Sequence, residues 1–113
     1  MAALSKPLGP WRSIAHLSMV RAQPCCACGV THGVQAAHIR NATDGGMGIK
    51  PSDYWAVPLC HDCHQEQHRV GEVTFWEACG LDPWVVARYL GRTSRQSGAI
   101  AAHKAAVWSA GNG

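Results

Sequence analysis

Four cysteines of the chain form two Cys-x-x-Cys pairs, Cys25 with Cys28 and Cys60 with Cys63. Two such pairs, well separated in sequence, can supply the four thiolates of a tetrahedral zinc site, in which Zn–S distances are about 2.3 Å. Metal binding at a site of this kind contributes on the order of 10 kcal/mol of apparent free energy to folding. We therefore predict a structural Zn²⁺ bound by these four cysteines.

The other two cysteines are predicted to lie outside this site. Cys26 competes for the first pair, but its spacing to Cys28 is shorter than zinc sites usually use. Cys79 is predicted to be a small buried residue. The alternative for the whole set is buried or redox-active thiols, although redox chemistry needs a single Cys-x-x-Cys pair and this chain has two.

Histidines form the second group of residues that could do chemistry. His64 and His68 are four residues apart, so on a helix they share one face, with Cβ atoms about 5–6 Å apart. That spacing suits two imidazoles on one divalent ion. His38 lies on a predicted strand that the zinc site would bring beside this helix, so we expect the three histidines to converge. A structural role is predicted for the remaining candidates His16, His32 and His103.

The elements that must position these residues follow from hydrophobic spacing and from turn and cap signals. The N-terminal half is predicted as a helix from Trp11 to Arg21 capped by Ser13, a strand from Gly33 to Ile39, a glycine-rich loop from Asn41 to Asp53 and a strand from Tyr54 to Leu59. The C-terminal half is predicted as a helix from His61 or Asp62 to Arg69, a helix with a Thr74–Glu77 capping box that ends at Gly80, a helix from Asp82-Pro83 to Gly91, and an alanine-rich helical stretch from Ala99 to Ala110.

The length of 113 residues predicts one domain with flanking segments. We expect a loose leader over residues 1–10, a folded domain over 11–92 and a basic, Ala/Gly-rich, partly helical tail over 93–113. Large apolar residues are sparse, so the five tryptophans are expected to provide much of the buried surface. The chain has no apolar run near the roughly 20 residues that span a membrane and no signal-peptide pattern, so a cytoplasmic location is expected.

The charges are unevenly distributed along the chain, whose formal net charge is +3. All seven carboxylates lie between Asp44 and Asp82. In the segments on either side, every charged residue is a Lys or an Arg. Two basic ends suit a polyanionic partner such as a nucleic acid. Ordinary solvated surface charge is the alternative.

Several motifs in combination resemble those of the HNH (ββα-metal) endonucleases. They are Pro24–Gly29, Ala36–Arg40, Gly45–Lys50, Ser52-Asp53, Pro58–Cys60, Cys63-His64 and His68. The chain is most similar to the phage and prophage group that contains the recombination enhancement function (Ref) nuclease and the YbcO-like proteins. The resemblance covers roughly residues 11 to 80.

The resemblance implies an α+β fold with a small ββα-metal (HNH) core held together by the four-cysteine zinc site, with flanking helices. It implies metal-dependent endonuclease activity on DNA, in phage or prophage recombination or DNA processing, with 5′-phosphate and 3′-hydroxyl products. DNA is the expected partner, together with a RecA-type recombinase filament. The oligomeric state stays open.

The resemblance also implies roles for particular residues. His38 matches the general base that activates water, and His64 with His68 would hold a catalytic Mg²⁺ or Mn²⁺, with zinc as an alternative. Asp53 would orient His38 or reach the metal, and Asn41 is a weaker candidate for that place. Ala37 stands where many of these enzymes have an Asp or His ligand, so the third metal ligand stays open.

Four cations are candidate DNA contacts: Arg40, Lys50, Arg21 and Arg69. Arg40 follows the first strand directly and would clamp a phosphate, while each of the others is equally compatible with plain solvated charge. The functional alternative is a catalytically inactive zinc module that binds DNA or a recombinase filament. Such a module needs the four cysteines but not the three histidines. A zinc-dependent hydrolase of another substrate is a third possibility, although no carboxylate is placed as a base beside the histidine pair.

Overall fold

A computed structural model describes residues 8–112, and two short strands with their surrounding helices make up this part of the chain. In chain order the elements are α1 (Ile14–Arg21), β1 (Val34–His38), a 3₁₀ helix (Asp53–Trp55), β2 (Ala56–Cys60), α2 (His61–Val70), α3 (Glu72–Cys79), α4 (Pro83–Thr93) and α5 (Ser97–Asn112). Most of the predicted leader, residues 1–7, lies outside the described residues.

The two strands form one antiparallel pair, in which Val34 lies opposite Cys60 and His38 lies opposite Ala56. Every residue of β2 is buried, and α2 begins at His61, directly after this strand. The chain is therefore a small mixed α/β domain in which a strand, a loop, a strand and a helix follow one another. Both predicted strands are confirmed, but the second begins at Ala56 and not at Tyr54, because Asp53–Trp55 form a 3₁₀ helix.

The core is made mainly by aliphatic side chains from and beside the two strands. Ile39, Val57 and Leu59 are at most 1% exposed and pack with Phe75 and Trp76 of α3. The tryptophans contribute unequally to the buried surface. Trp76 is buried, and Trp55 and Trp84 are half-buried and pack against the core, whereas Trp108 is 68% exposed, so the expected contribution fails at Trp108.

Helix boundaries follow the predicted caps with one exception. The Ser13 hydroxyl accepts a hydrogen bond from the His16 amide at 3.0 Å, and Asp82 caps α4 through the Trp84 and Val85 amides. Thr74 is not a cap, because α3 already begins at Glu72. Gly71, at φ +92°, both ends α2 and precedes α3, so no separate start at Thr74 is needed.

The glycine-rich loop is held closed by a close backbone approach. A Cβ at Gly45 would lie 2.6 Å from Cγ of Pro51, so only glycine fits there without a shift. Asp44 accepts hydrogen bonds from the amide and the hydroxyl of Ser52. Arg12 donates to the carbonyls of Lys50 and Pro51. These contacts fix the far end of the loop against the segment that precedes α1.

The predicted tail contains a 16-residue helix, α5. Ile100 is 3% exposed, and its side chain faces Gly91 of α4. His103 anchors the helix to the domain, since its Nδ1 lies 2.9 Å from the Tyr54 hydroxyl and its Nε2 donates to the Gly9 carbonyl. Among the described helices, none has the length and apolar character needed to cross a bilayer.

Candidate metal centre and histidine cavity

The two cysteine pairs are brought together by backbone contacts between the turn after α1 and the end of β2. The Cys25 amide donates to the Val30 carbonyl at 2.8 Å, which closes the turn, and the Cys26 amide donates to the Pro58 carbonyl at 2.9 Å. Cys60 is the last residue of β2 and the N-cap of α2. The turn therefore lies against the point where the strand becomes a helix.

The ligand atoms of Cys25, Cys28, Cys60 and Cys63 all lie within 4.8 Å of one another, and all four thiols are free. The Cys28 and Cys60 Sγ atoms are 3.7 Å apart, close to the roughly 3.8 Å that separates thiolates in a tetrahedral zinc site. Burial disfavours the Cys25 thiolate, but backbone hydrogen bonds outweigh it and lower the pKa of this thiol to about 6. These four cysteines could hold a metal ion such as zinc.

The two other cysteines differ in environment. Burial raises the pKa of Cys26 to about 12, and its Sγ is not among the ligand atoms that lie within 4.8 Å of one another. Cys79 is exposed, so the prediction that it is buried is wrong. It lies in the last turn of α3, where Phe75 and Trp76 provide the buried face instead.

A cavity of about 280 Å³ lies between β1, α2 and the start of α3. Among the predicted site residues, it is lined by His38, His64, His68, Arg40 and Lys50. The strand thus contributes one histidine and the helix two, and two cations face the same space. Asp53 does not line this cavity, but its carboxylate contacts Nε2 of His38.

His64 is oriented by a neighbour on β1. Its Nδ1 lies 2.7 Å from Oε1 of Gln35, and an amide oxygen only accepts, so Nδ1 carries the proton and Nε2 keeps a free lone pair. Nε2 of His68 lies 3.2 Å from this atom. Burial and the nearby His68 lower the pKa of His64. His64 therefore presents a neutral imidazole nitrogen of the kind that binds a divalent ion.

The histidine pair lacks a third protein ligand in the described part of the chain. There, the cysteine cluster is the only group of three or more Cys, His, Asp or Glu residues whose ligand atoms lie within 4.8 Å of one another. An ion held by His64 and His68 would therefore take its other ligands from water or substrate. Ala37 is buried and paired with Val57 in the sheet. Its methyl side chain has no atom that could bind a metal.

His38 is oriented by a buried carboxylate. Its Nε2 lies 2.9 Å from Oδ1 of Asp53, which is 2% exposed. Asp53 also accepts from the Ser13 amide at 2.8 Å and lies 3.4 Å from Nη1 of Arg12. Because a carboxylate accepts, Nε2 of His38 carries the proton and Nδ1 is free to act as a base. Burial lowers the pKa of His38, although Asp53 opposes this shift.

The remaining predicted residues lie elsewhere. Arg69 forms two hydrogen bonds with the Glu66 carboxylate, at 2.7 and 2.6 Å, so its charge is already compensated. Arg21 is exposed at the end of α1 and does not line the histidine cavity. Asn41 lines a neighbouring cavity, where its carbonyl accepts from the Trp84 indole at 3.0 Å. Asp53, not Asn41, therefore contacts His38.

Sequence patterns did not reveal three residues that support this site. Gln35 orients His64, and Arg12 binds the loop and Asp53. Glu72 accepts from the amides of Arg40 and Asn41 at 2.8 and 3.0 Å, which fixes the chain after β1. Each acts on residues far away in sequence, and the one local signal is that Arg12 directly precedes the Ser13 cap.

A family model described as "Protein of unknown function (DUF968)" matches residues 4–96. The chain belongs to this family. Both cysteine pairs and all residues of the histidine cavity lie within the matched residues of this DUF968 protein, whereas α5 begins just after them.

One curated relative of this DUF968 protein is "Uncharacterized protein YdfU" from Escherichia coli (strain K12). It is 30% identical over 82 residues, which cover 73% of the present chain and 23% of that relative. The DUF968 chain therefore spans about a quarter of the length of the curated relative that it matches. No solved structure matches it significantly.

Proposed function

We propose that this DUF968 protein is a metal-dependent endonuclease of the HNH type that hydrolyses DNA phosphodiester bonds. The observation that carries the proposal is the cavity in which His38 from β1 meets His64 and His68 from α2. Under this proposal, β1, β2 and α2 form the ββα-metal core, and the four cysteines hold its two halves together.

His38 is the proposed general base. Asp53 holds the proton on Nε2, so Nδ1 can take a proton from the attacking water, which leaves hydroxide to form the new bond to phosphorus. The bond from phosphorus to the 3′ oxygen then breaks, and that oxygen takes a proton from solvent water, while the proton on Nδ1 of His38 returns to solvent. The lowered pKa of His38 keeps the imidazole neutral near pH 7, as a base requires.

His64 and His68 are the proposed ligands of the catalytic ion. Gln35 fixes the His64 ring so that its lone pair on Nε2 faces His68, which is how outer hydrogen bonds prepare histidine ligands. A Mg²⁺, Mn²⁺ or Zn²⁺ ion held by these histidines would stabilise negative charge on the phosphate and the leaving oxygen.

Arg40 and Lys50 are the proposed phosphate contacts, because both line the cavity with the histidines. The ion pairs of the described residues involve Arg12, His38 and Arg69 but neither of these two cations, so both charges are available to a phosphate. We assign weaker roles to Arg21 and Arg69. Phage or prophage recombination, in the cytoplasm and with a RecA-type filament as partner, is the setting we propose for this activity.

A zinc module that binds DNA without cutting it is the second candidate. The absence of a third ligand beside His64 and His68 in residues 8–112 favours it. The cysteine cluster alone would maintain such a module, and the histidines would then carry no chemistry. The two candidates therefore differ in whether His38 matters for DNA cleavage.

The decisive experiment incubates the zinc-loaded full chain with single- and double-stranded DNA in Mg²⁺, in Mn²⁺ or without added divalent ion. We expect cleavage that needs the added ion and leaves 5′-phosphate ends. His38→Ala should lower the cleavage rate by about 10²–10⁴ without weakening DNA binding. His32→Ala, which changes an exposed loop histidine, should cut normally. Binding without cleavage by the parent protein would establish the module instead.

A further inference from the structure

A second cationic surface lies between α4 and α5, and none of its residues lines the histidine cavity. We name it the α4–α5 groove. It has a volume of about 490 Å³ and is lined by Arg88, Arg92, Lys104, Gly91, Ile100 and Ser97. Its base is apolar, and its charged groups are all basic.

The three cations of the groove converge on one another. Arg88 and Arg92 are exposed and one helical turn apart on α4, and Lys104 faces them from α5. Burial lowers the pKa of Lys104, and the two arginines lower it further, as expected when like charges share a space. Such repulsion destabilises the free protein and is relieved when an anion binds.

No carboxylate in the described residues offers that relief. The ion pairs found there join Asp53 with Arg12 and His38, and Glu66 with Arg69. The chain has no acidic residue after Asp82. Ser97, the first residue of α5, also lines the groove, and a helix N-terminus adds partial positive charge. The groove therefore has the chemistry of a phosphate-binding surface.

The position of Lys104 connects this surface to the histidine site. Its Nζ lies 4.8 Å from the Trp55 ring centroid and 5.0 Å from that of Tyr54. Both rings belong to the 3₁₀ helix that starts at Asp53, the residue that holds His38. Through Lys104 the groove therefore contacts the same 3₁₀ helix that carries the Asp53 carboxylate.

We propose that the α4–α5 groove binds the sugar-phosphate backbone of DNA, at a contact separate from the histidine cavity. DNA as the ligand rests on the proposed function, while the groove itself rests on its own residues. A chain of phosphates supplies a negative charge for each of the three cations that line the groove, which a single small anion does not. Backbone contacts of this kind are independent of sequence and sensitive to salt.

The test compares Arg88→Gln/Arg92→Gln with Arg95→Gln in the zinc-loaded full chain. Arg95 is exposed near the groove but does not line it, so Arg95→Gln measures the effect of losing one positive charge outside the groove, and the double variant must exceed twice that effect. The affinity for a labelled DNA duplex is measured by fluorescence anisotropy at several salt concentrations without Mg²⁺. The logarithm of the binding constant falls as the logarithm of the salt concentration rises, and each lost phosphate contact makes this negative slope shallower by about 0.9.

We expect the slope of the double variant to be shallower by about 2 and its affinity at low salt to be about tenfold weaker. Arg95→Gln should stay close to the parent. Lys104→Gln should lower the slope by about 1. Thermal unfolding shows whether each variant is folded. The double variant is expected to keep its fold more readily than Lys104→Gln, because Arg88 and Arg92 are exposed and Lys104 is half-buried. A slope that stays unchanged in the folded double variant overturns the proposal.

Three further outcomes separate this proposal from others. If the groove variants lose binding to vesicles of phosphatidylserine and phosphatidylcholine but keep full DNA affinity, the groove is a membrane site and the proposal falls. If the parent binds DNA with a groove-dependent slope but never cuts it, the groove stands and the nuclease falls. If the parent cuts DNA but the slope is unchanged in the double variant, the nuclease stands and the groove proposal falls.

Discussion

The Nε2 atom of His38 lies 2.9 Å from Oδ1 of Asp53, and this buried carboxylate also accepts from the Ser13 amide. Three separate parts of the chain therefore set the orientation of one imidazole. Because Asp53 is 2% exposed, water cannot easily replace its hydrogen bonds. The contact makes His38 the residue on which the proposed chemistry can be tested most directly.

Loss of the His38 imidazole is expected to lower the rate of DNA cleavage by about 10²–10⁴, the usual contribution of a general base. Asp53→Asn should give a smaller loss, since the amide can still accept a hydrogen bond but carries no charge. Single-turnover cleavage rates measure both, with His32→Ala as the matched histidine control. Equal rates for His38→Ala and the parent would disprove the assigned mechanism.

The pH dependence of cleavage follows from the lowered pKa of His38, whose largest cause is burial. The base works only when neutral, so kcat/KM should stay level as pH falls to about 6.5 and decline only below it. In Asp53→Asn the carboxylate no longer favours the charged form, so the decline should move to still lower pH. An acidic limb above about pH 6.5 in the parent protein would contradict this assignment.

Removal of one cysteine ligand is expected to release zinc and unfold the domain. Cys63→Ser removes a member of the four-cysteine cluster, and zinc binding on the order of 10 kcal/mol is comparable to the whole stability of a small domain. Cys26→Ser, the neighbouring cysteine outside the cluster, should retain the metal. Native mass spectrometry counts bound zinc, and circular dichroism reports folding. A folded, zinc-bound Cys63→Ser would rule out the ligand set.

Two glycine substitutions should change stability in opposite directions. A Cβ at Gly91 would meet Ile100 at ordinary contact distances of 3.7 and 3.9 Å, so Gly91→Ala should stabilise α4 by about 0.5–1 kcal/mol. Gly80 ends α3 at φ +67°, so Gly80→Ala should cost about 1 kcal/mol. Urea denaturation measures both free energies of unfolding. Destabilisation by Gly91→Ala would show that α4 and α5 pack more tightly than described.

Burial of His16 should make the fold sensitive to acid. Its Nδ1 lies 3.0 Å from the Ser94 hydroxyl and its Nε2 is buried without a hydrogen-bond partner, and burial lowers its pKa from 6.5. The unfolded chain therefore binds more protons than the folded one between this lowered pKa and about 6.5. Stability from this group is complete above about pH 6.5 and is lost as pH falls below it.

The measurement compares the free energy of unfolding at about pH 7.5 and about pH 5.5, on either side of the ordinary histidine pKa, in the parent and in His16→Gln. Protonation of the cysteine cluster affects both proteins alike, so the difference between them isolates His16. The parent should lose more stability at the lower pH than His16→Gln does. An identical loss in both proteins would show that His16 does not contribute to the acid sensitivity.

Local spacing was enough to predict the elements that carry the site. The strands around Ala36 and Val57, the Ser13 and Asp82 caps and the clustering of four cysteines all follow from patterns within a few residues or from paired motifs. The i, i+4 placement of His64 and His68 likewise follows from helical geometry alone. The helix start predicted at Thr74 is wrong, because α3 already begins at Glu72, after Gly71. A local capping pattern was therefore not enough to place this helix boundary.

Only the tertiary structure decided how the side chains meet. Asp53 was a candidate orienting group for His38, but its contacts with Arg12 and Ser13, far away in sequence, depend on how α1 packs on the loop. The contacts of Arg12 and Gln35 had no local signal for the same reason. The amino-acid sequence by itself determined which ligand types and elements exist, because backbone preferences are local. Packing determined which nitrogens and cations share a cavity and which carboxylate contacts His38, because those contacts join distant parts of the chain.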